Sequence, residues 1–198
     1  MVREMASTLP PGLYDEIMQC VSVLPVNVTI QNSDAKSFAG LFIAKGDNAT
    51  IKISSSYTGV RYFLTLTHEI AHLLVWVKYG LNRIDTKPHG KEWKNEYKSL
   101  VLRFLGKGYY SIEIESAILT HMINPPYSTK LHIELLKVLT PDKIPLRDIR
   151  CGTSFRMEGY DGLLFVKTQQ RYSTVTFKST FSGELFTVHK NYMVLKNS

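Results

Sequence analysis

The feature that most constrains this chain is the segment THEIAH at residues 67–72, which places three polar side chains inside a long apolar run. The surrounding residues, from Tyr62 to Val77, have the length and apolar content of a buried helix. On a helix, side chains four residues apart lie one above the other, so His68 and His72 can bind the same ion. Glu69 then points to the open side of that ion, where it can take a proton from water. The pattern predicts a zinc-binding helix of the kind used for peptide hydrolysis.

The alternative interpretation is a helix that carries two histidines and a glutamate by coincidence. Burying such polar groups without partners costs about 1–3 kcal/mol each. A bound metal ion supplies a partner for both imidazoles, so we prefer the metal site.

A third protein ligand has to come from another part of the chain. A histidine six residues beyond His72 would complete the metzincin pattern, but that position is Lys78. His89 and Glu92 are the two remaining candidates, and they lie within one helical turn of each other. Glu92 follows His72 at a separation like that of the glutamate ligand in thermolysin-type enzymes. Spacing alone therefore leaves both candidates open.

The two histidine motifs together resemble those of the SprT-like metallopeptidases, which are relatives of the Spartan proteases. In that family a His-Glu-x-x-His helix is followed by a His-Gly-x-x-aromatic sequence that opens the next helix. Here His89, Gly90 and Trp93 match the second motif. The resemblance covers roughly residues 10–105, about half of the chain.

The resemblance implies a site with one zinc ion and three imidazole ligands: His68, His72 and His89. It implies Glu69 as the catalytic base, with Glu92 as a hydrogen-bond acceptor for an imidazole N–H or as the alternative ligand. A ligand set of neutral nitrogens suits zinc better than magnesium or calcium. The oxyanion-stabilising residue cannot be chosen from the sequence, which offers five downstream donors: Tyr79, Tyr97, Tyr109, Tyr110 and His121.

Charge and cysteine content restrict the partners and the compartment. The 198 residues include 24 Lys and Arg against 17 Asp and Glu, a formal net charge of +7. This excess favours an anionic partner, with nucleic acid the first candidate. Cys20 and Cys151 are too few for the C-terminal zinc ribbon that many SprT-like proteins carry. The sequence shows no signal peptide and no apolar run long enough for a membrane span, so we expect a cytoplasmic protein.

Hydrophobic periodicity predicts an α+β fold, which the resemblance makes zincin-like: a helix, a small antiparallel sheet and then the zinc helix. Strands are predicted at 26–30, 39–44 and 49–54, and the last two are expected to form a hairpin. Further helices are predicted at 13–21, 89–104, 111–123 and 131–139. By analogy with zincins, we expect the strand at residues 51–54 to line the cleft and bind substrate by strand addition.

Short β-like runs separated by turns follow residue 150 and predict a small all-β C-terminal module. We therefore expect two domains. The first is a zincin-like metallopeptidase domain at residues 1–145, with extra helices at 111–139. The second is the β-rich module at residues 146–198.

Two sets of basic residues are candidates for binding nucleic acid. One recurs at three- and four-residue intervals on the second predicted helix: Lys87, Lys91, Lys94 and Lys98. The other combines basic and aromatic side chains of the β module: Arg156, Lys167, Arg171, Tyr172, Lys178, Lys190 and Tyr192. An ordinary solvated face of a β module explains the second set equally well.

Three functions are compatible with these observations. The first is a zinc-dependent endopeptidase of the SprT-like type, with DNA-associated proteins as the substrates that the resemblance implies. The second is a catalytically silent nucleic-acid-binding protein with a structural metal, and the third is a metallopeptidase without a nucleic-acid partner. Glu69 argues against the second function, because a structural site does not require a base.

Overall fold

The computed structural model describes residues 8–35, 37–80, 87–126 and 132–195. They belong to two compact units, Met1–Leu131 and His132–Ser198. The first combines helices with a mixed sheet, and the second is an antiparallel β module. The predicted α+β fold class is thereby confirmed. No helix among the described residues is long and apolar enough to cross a membrane.

The first unit contains, within its described residues, four helices and a three-stranded sheet. The helices are α1 (Leu13–Ser22), α2 (Gly59–Tyr79), α3 (Lys91–Leu102) and α4 (Ile112–Ile123). The strands are β1 (Asn27–Ser33), β2 (Gly40–Lys45) and β3 (Asn48–Ser54). The zinc helix predicted from the histidine motif is α2.

β3 is the central strand of this sheet, whose order is β1-β3-β2. β2 and β3 form the predicted antiparallel hairpin, with Phe42 opposite Ile51. β1 pairs with β3 in parallel, with Ile30 opposite Ile51, so the sheet is mixed and not antiparallel throughout. The prediction that the strand at residues 51–54 adds a substrate strand is wrong, because β3 is already paired on both edges.

The helix α2 packs against both β2 and β3 and, through a separate set of contacts, against α3. Its near-continuous apolar sequence follows from this position, since most of its side chains are buried. Two hydrogen bonds fix it further. The Tyr97 hydroxyl of α3 donates to the Leu64 carbonyl at 3.1 Å, and the Tyr62 hydroxyl donates to Asn32 Oδ1 of β1 at 3.0 Å. Because each large buried side chain contributes about 1.5–3 kcal/mol, the helix is firmly held.

The second unit begins with a helix and continues as a series of short strands. Its elements are α5 (Ile133–Leu139), β4 (Lys143–Pro145), β5 (Ser154–Phe155), β6 (Phe165–Gln170), β7 (Thr174–Ser179), β8 (Leu185–His189) and β9 (Met193–Leu195). β5 to β8 form one antiparallel sheet in sequence order, and β4 pairs with β9. Phe155, Phe165 and Phe177 are at the centre of its apolar core.

The boundary between the two units lies before α5, whereas the sequence placed it after residue 145. β4 explains the difference. This strand is only three residues long and ends in Pro145, so it left no readable pattern, yet it pairs with β9 at the other end of the module. The helix α5 contacts β4 and is therefore grouped with the β module.

Lys167 has a structural position that its charge did not predict. Its side chain is buried, with 2% of its surface exposed. The ammonium donates hydrogen bonds to the carbonyl oxygens of Leu146 and Ile149 and to Gln170 Oε1. Lys167 therefore fixes the turn after β4 to β6, and its assignment to a nucleic-acid-binding surface is wrong.

Candidate metal centre

The first unit brings three imidazoles together at one point. His68 and His72 project from successive turns of α2, and His89 lies two residues before the first residue of α3. His89 Nε2 lies 3.2 Å from His68 Nε2 and 2.9 Å from His72 Nε2. Around a tetrahedral zinc ion, with Zn–N bonds of about 2.0–2.1 Å, two ligand nitrogens are about 3.3 Å apart. The three side chains thus form a group that could hold one metal ion.

His89 reaches the other two histidines because the turn before α3 is tight. The Gly90 N–H donates to the Lys87 carbonyl at 2.8 Å, which encloses Pro88 and His89 in a β-turn. His89 adopts φ of 61°, a conformation that non-glycine residues rarely take. A Cβ atom on Gly90 would lie 2.9 Å from the Lys87 carbonyl oxygen, so a larger residue does not fit there. The backbone at His89 is therefore strained, and in this conformation its imidazole reaches His68 and His72.

The surroundings keep the imidazoles in the form that binds metal. Burial lowers the pKa of His68 to about 3, with a further contribution from the neighbouring His72 and His89 rings. Burial also lowers the pKa of His89. Both rings are therefore neutral at physiological pH, and neutral imidazole is the metal-binding form.

Aromatic rings position the three imidazoles. The Trp93 indole contacts all of them, with ring-centroid distances of 4.5 Å to His68, 5.5 Å to His72 and 4.7 Å to His89. Its Nε1–H donates to the His68 carbonyl oxygen at 3.3 Å. On β2, the Phe42 ring is stacked on His72 at 6.3 Å with an interplanar angle of 14°. The second histidine motif includes Trp93, but it gives no indication that this side chain contacts every histidine of the group.

Glu69 lies beside the histidine group in a narrow space between α2 and β2. Its Oε1 is 4.0 Å from His68 Nε2, and 5% of the residue is exposed. Burial raises the pKa of Glu69 to about 8, although a hydrogen bond from the Phe42 backbone N–H acts in the opposite direction. A general base is most effective when its pKa lies near the working pH. The Glu69 carboxylate could therefore exchange a proton near neutral pH.

Gly40 makes room for this carboxylate. A Cβ atom at that position would lie 2.5 Å from Glu69 Oε1, 2.8 Å from Glu69 Cγ and 2.9 Å from Thr65 Cγ2. Such distances are too short for real contacts, so any larger residue would displace Glu69 or the strand. The sequence contained Gly40 as part of a strand but gave no indication of this approach.

The other candidate residues lie elsewhere. Glu92 is in the first turn of α3 but does not belong to the metal-holding group, which contains His89. The hydroxyls of Tyr97 and Tyr109 donate to the Leu64 carbonyl and to Glu16, respectively. His121 is buried on α4.

The four lysines of the predicted basic stripe differ in their surroundings: two donate hydrogen bonds to the end of α4, and two are exposed. Lys94 Nζ donates to Asn124 Oδ1 at 3.0 Å, and Lys98 Nζ donates to the Ile123 carbonyl oxygen at 2.7 Å. Both contacts stabilise the C-terminal end of α4, where a positive charge is favourable. Lys87 and Lys91 are exposed. A nucleic-acid-binding role for the stripe stays a prediction.

A comparison with protein-family models matches residues 17–113 to the SprT-like family. The chain contains a SprT-like domain. The matched segment runs from α1 to the start of α4 and includes the histidine group, Glu69 and Gly40, which confirms the resemblance found in the two histidine motifs. Comparisons with curated proteins and with solved structures gave no significant match.

We predict that the SprT-like domain binds one zinc ion and that His89→Ala weakens zinc binding by about 100-fold or more, because a ligand is lost. Glu92→Gln is the matched control on the first turn of α3, and we expect it to change the affinity less than about tenfold. Competition with a chromophoric chelator measures both. A large loss in Glu92→Gln together with unchanged binding in His89→Ala would reverse the ligand assignment.

Proposed function

We propose that the protein is a zinc-dependent endopeptidase of the SprT-like type. The observation that carries this proposal is the convergence of three imidazole nitrogens with Glu69 Oε1 4.0 Å from one of them. Three protein ligands and a neighbouring carboxylate are the parts that a hydrolytic zinc site requires. The SprT-like domain supports the same conclusion.

A bound zinc ion would supply Lewis-acid chemistry, by polarising the scissile carbonyl and making water more acidic. The chain's own contribution to proton transfer is Glu69. Its carboxylate accepts a proton from the attacking water and returns it to the nitrogen of the leaving amine. The Phe42 N–H orients this carboxylate, and the Trp93 indole and the Phe42 ring exclude water from the sides of the imidazoles.

The edge of β2 is the surface along which we propose that an extended substrate binds. β2 lies at one edge of the sheet and packs on α2. The Phe42 N–H points away from β3, since it donates to Glu69. Backbone direction alternates along an antiparallel strand, so Gly40 and Ala44 also turn their backbone groups away from β3. A peptide segment added at this edge would pass the catalytic carboxylate.

Nucleic acid is proposed as a partner, bound by the β module. Tyr172, in the turn between β6 and β7, is 93% exposed. Lys190 Nζ lies 5.0 Å from the centre of its ring, and the neighbouring Arg171 is exposed. Exposed aromatic rings next to basic side chains suit the stacked bases and phosphates of a single strand. Together with the net charge of +7, this cluster supports DNA-associated proteins as substrates.

We expect Glu69→Gln to retain zinc and to lower peptide hydrolysis by about 100-fold or more, because the amide cannot accept the proton. Hydrolysis of an unstructured protein such as casein, measured together with zinc content, tests this. Chelation should abolish wild-type turnover, and zinc should restore it. Normal turnover in the variant would exclude the proposed role of Glu69, and zinc-loaded wild type without any peptidase activity would favour the catalytically silent alternative.

We expect Gly40→Ala to bind zinc normally and to lose about tenfold or more of its turnover, because the added methyl displaces the Glu69 carboxylate. Ala44→Ser, at the other end of the same strand, is the matched control and should retain turnover. Thermal unfolding of each variant identifies any loss of fold. If Gly40→Ala is folded and fully active, the close packing on Glu69 has no catalytic importance.

We expect single-stranded DNA to bind at low salt and to dissociate as salt is raised towards physiological concentration. Tyr172→Ala should weaken binding about fivefold or more, because a stacking surface is lost. Phe181→Ala is the matched control, since this residue is 87% exposed and lies beyond the other end of β7. Fluorescence anisotropy provides the affinities. Binding that depends on Lys91 and not on Tyr172 would locate the nucleic-acid site on α3, and no binding at low salt would remove the proposal.

A further inference from the structure

A cavity of about 540 Å³ in the first unit lies at the end of the sheet where β1 and β3 finish and β2 begins. Because β1 and β3 are parallel and β2 is antiparallel to β3, three chain segments meet at this edge. The wall includes Asp34 after β1, Phe38 and Ala39 before β2, and Ser54 and Tyr57 at the end of β3. The volume is within the range of specific ligand pockets.

Backbone hydrogen bonds hold this cavity in shape. The Ser54 N–H donates to the Ala39 carbonyl at 2.8 Å, and the Ser55 N–H donates to the Ser33 carbonyl at 2.9 Å. The Tyr57 N–H donates to the Ser54 carbonyl at 3.1 Å, which closes the turn towards α2. The cavity is therefore built from the ends of paired strands.

The lining has the chemistry of a site for a cationic side chain. Within the described lining, Asp34 is the charged residue, and its carboxylate accepts a hydrogen bond from the Ser55 hydroxyl. The Ser54 and Ser56 hydroxyls lie 2.8 Å apart and add polar oxygens. The guanidinium of Arg61 already occupies one face of the Tyr57 ring, at 4.7 Å from its centre. The Asp34 carboxylate and the hydroxyl oxygens can each accept a further hydrogen bond from an incoming ammonium or guanidinium.

The Ala39 side of the cavity lies close to the proposed catalytic carboxylate. Ala39 in its wall directly precedes Gly40, and a Cβ atom on Gly40 would lie 2.5 Å from Glu69 Oε1. Since consecutive Cα atoms are about 3.8 Å apart, the Ala39 Cα is within about 8 Å of that oxygen. Extended chain advances about 3.3–3.6 Å per residue, so about two substrate residues cover this distance.

We propose that this cavity is a specificity subsite, which rests on the proposed peptidase function. It accepts a lysine or arginine side chain of a substrate lying along β2, about two residues from the scissile bond. Asp34 is the residue that determines the preference for a positive charge. Arg61 lies next to the subsite, and its positive charge acts against a basic substrate side chain, so the proposed preference depends on the Asp34 carboxylate.

The test uses full-length, zinc-loaded protein and peptide sets in which one position on either side of the scissile bond is lysine, glutamine or glutamate. We expect lysine at one position to raise kcat/KM about fivefold to tenfold over glutamine. Asp34→Asn should remove this advantage, so that the lysine and glutamine peptides are cleaved with equal kcat/KM. Asp47→Asn is the matched control, because Asp47 is an exposed acidic residue in the turn between β2 and β3, at the other end of the sheet. It should retain the lysine preference.

A binding measurement makes the subsite testable independently of turnover. The Glu69→Gln protein should bind the lysine peptide about fivefold to tenfold more tightly than the glutamine peptide, and adding Asp34→Asn should equalise the two. Cleavage without any preference for a basic side chain would overturn the subsite and leave the peptidase function intact. If the charge-dependent binding is present but no peptide is cleaved, the peptidase function is overturned and the binding site for a basic side chain stands. Equal binding of both peptides, or a preference for glutamate, would overturn the subsite in either case.

Discussion

The contact of three imidazoles is the constraint on which the first unit depends, with His89 at hydrogen-bond distance from both His68 and His72. Such a group is stable only when something shares its nitrogen lone pairs, and burial of His68 keeps water from doing so fully. Structural zinc can contribute about 10 kcal/mol or more to a small domain, which is comparable to the whole stability of many folds. A metal at this position would therefore join α2 to the start of α3 as well as provide chemistry. The Trp93 ring contacts all three imidazoles and so helps to hold them together at the position where a metal would bind.

Two features beside the histidine group cost folding free energy, and packing in the rest of the unit offsets this cost. His89 has a positive φ, which costs of order 1 kcal/mol or more. Glu69 is buried with a raised pKa, and the Phe42 backbone N–H of β2 donates to its carboxylate. These positions persist because α2 is enclosed by the sheet on one side and is hydrogen-bonded to α3 through Tyr97. Rigid burial of one helix is what allows a strained turn and a desolvated carboxylate to exist beside it.

Local patterns in the sequence were sufficient for the parts of the site that lie on one helix. His68, Glu69 and His72 follow from helical spacing, whereas His89 was chosen over Glu92 through the resemblance of His89, Gly90 and Trp93 to the second motif of the family. What the sequence could not indicate depends on pairing between distant segments. The parallel pairing of β1 with β3, the union of β4 with β9 and the burial of Lys167 all arise from contacts that leave no periodic signal. Gly40 is the clearest case, since its function depends on a carboxylate 29 positions further along the chain.

The strand β2 connects these features into one arrangement. Its first residue, Gly40, adjoins both the Glu69 carboxylate and the cavity that contains Asp34. Two residues later, Phe42 orients Glu69 through its N–H and stacks its ring on His72. Because Gly40 and Phe42 belong to one continuous strand, their contacts with Glu69 and His72 are held at a fixed spacing along the backbone. The backbone of β2 would both bind a peptide aligned on this edge and set the position of that peptide relative to Glu69. The register in which the peptide binds would therefore determine which bond is cleaved.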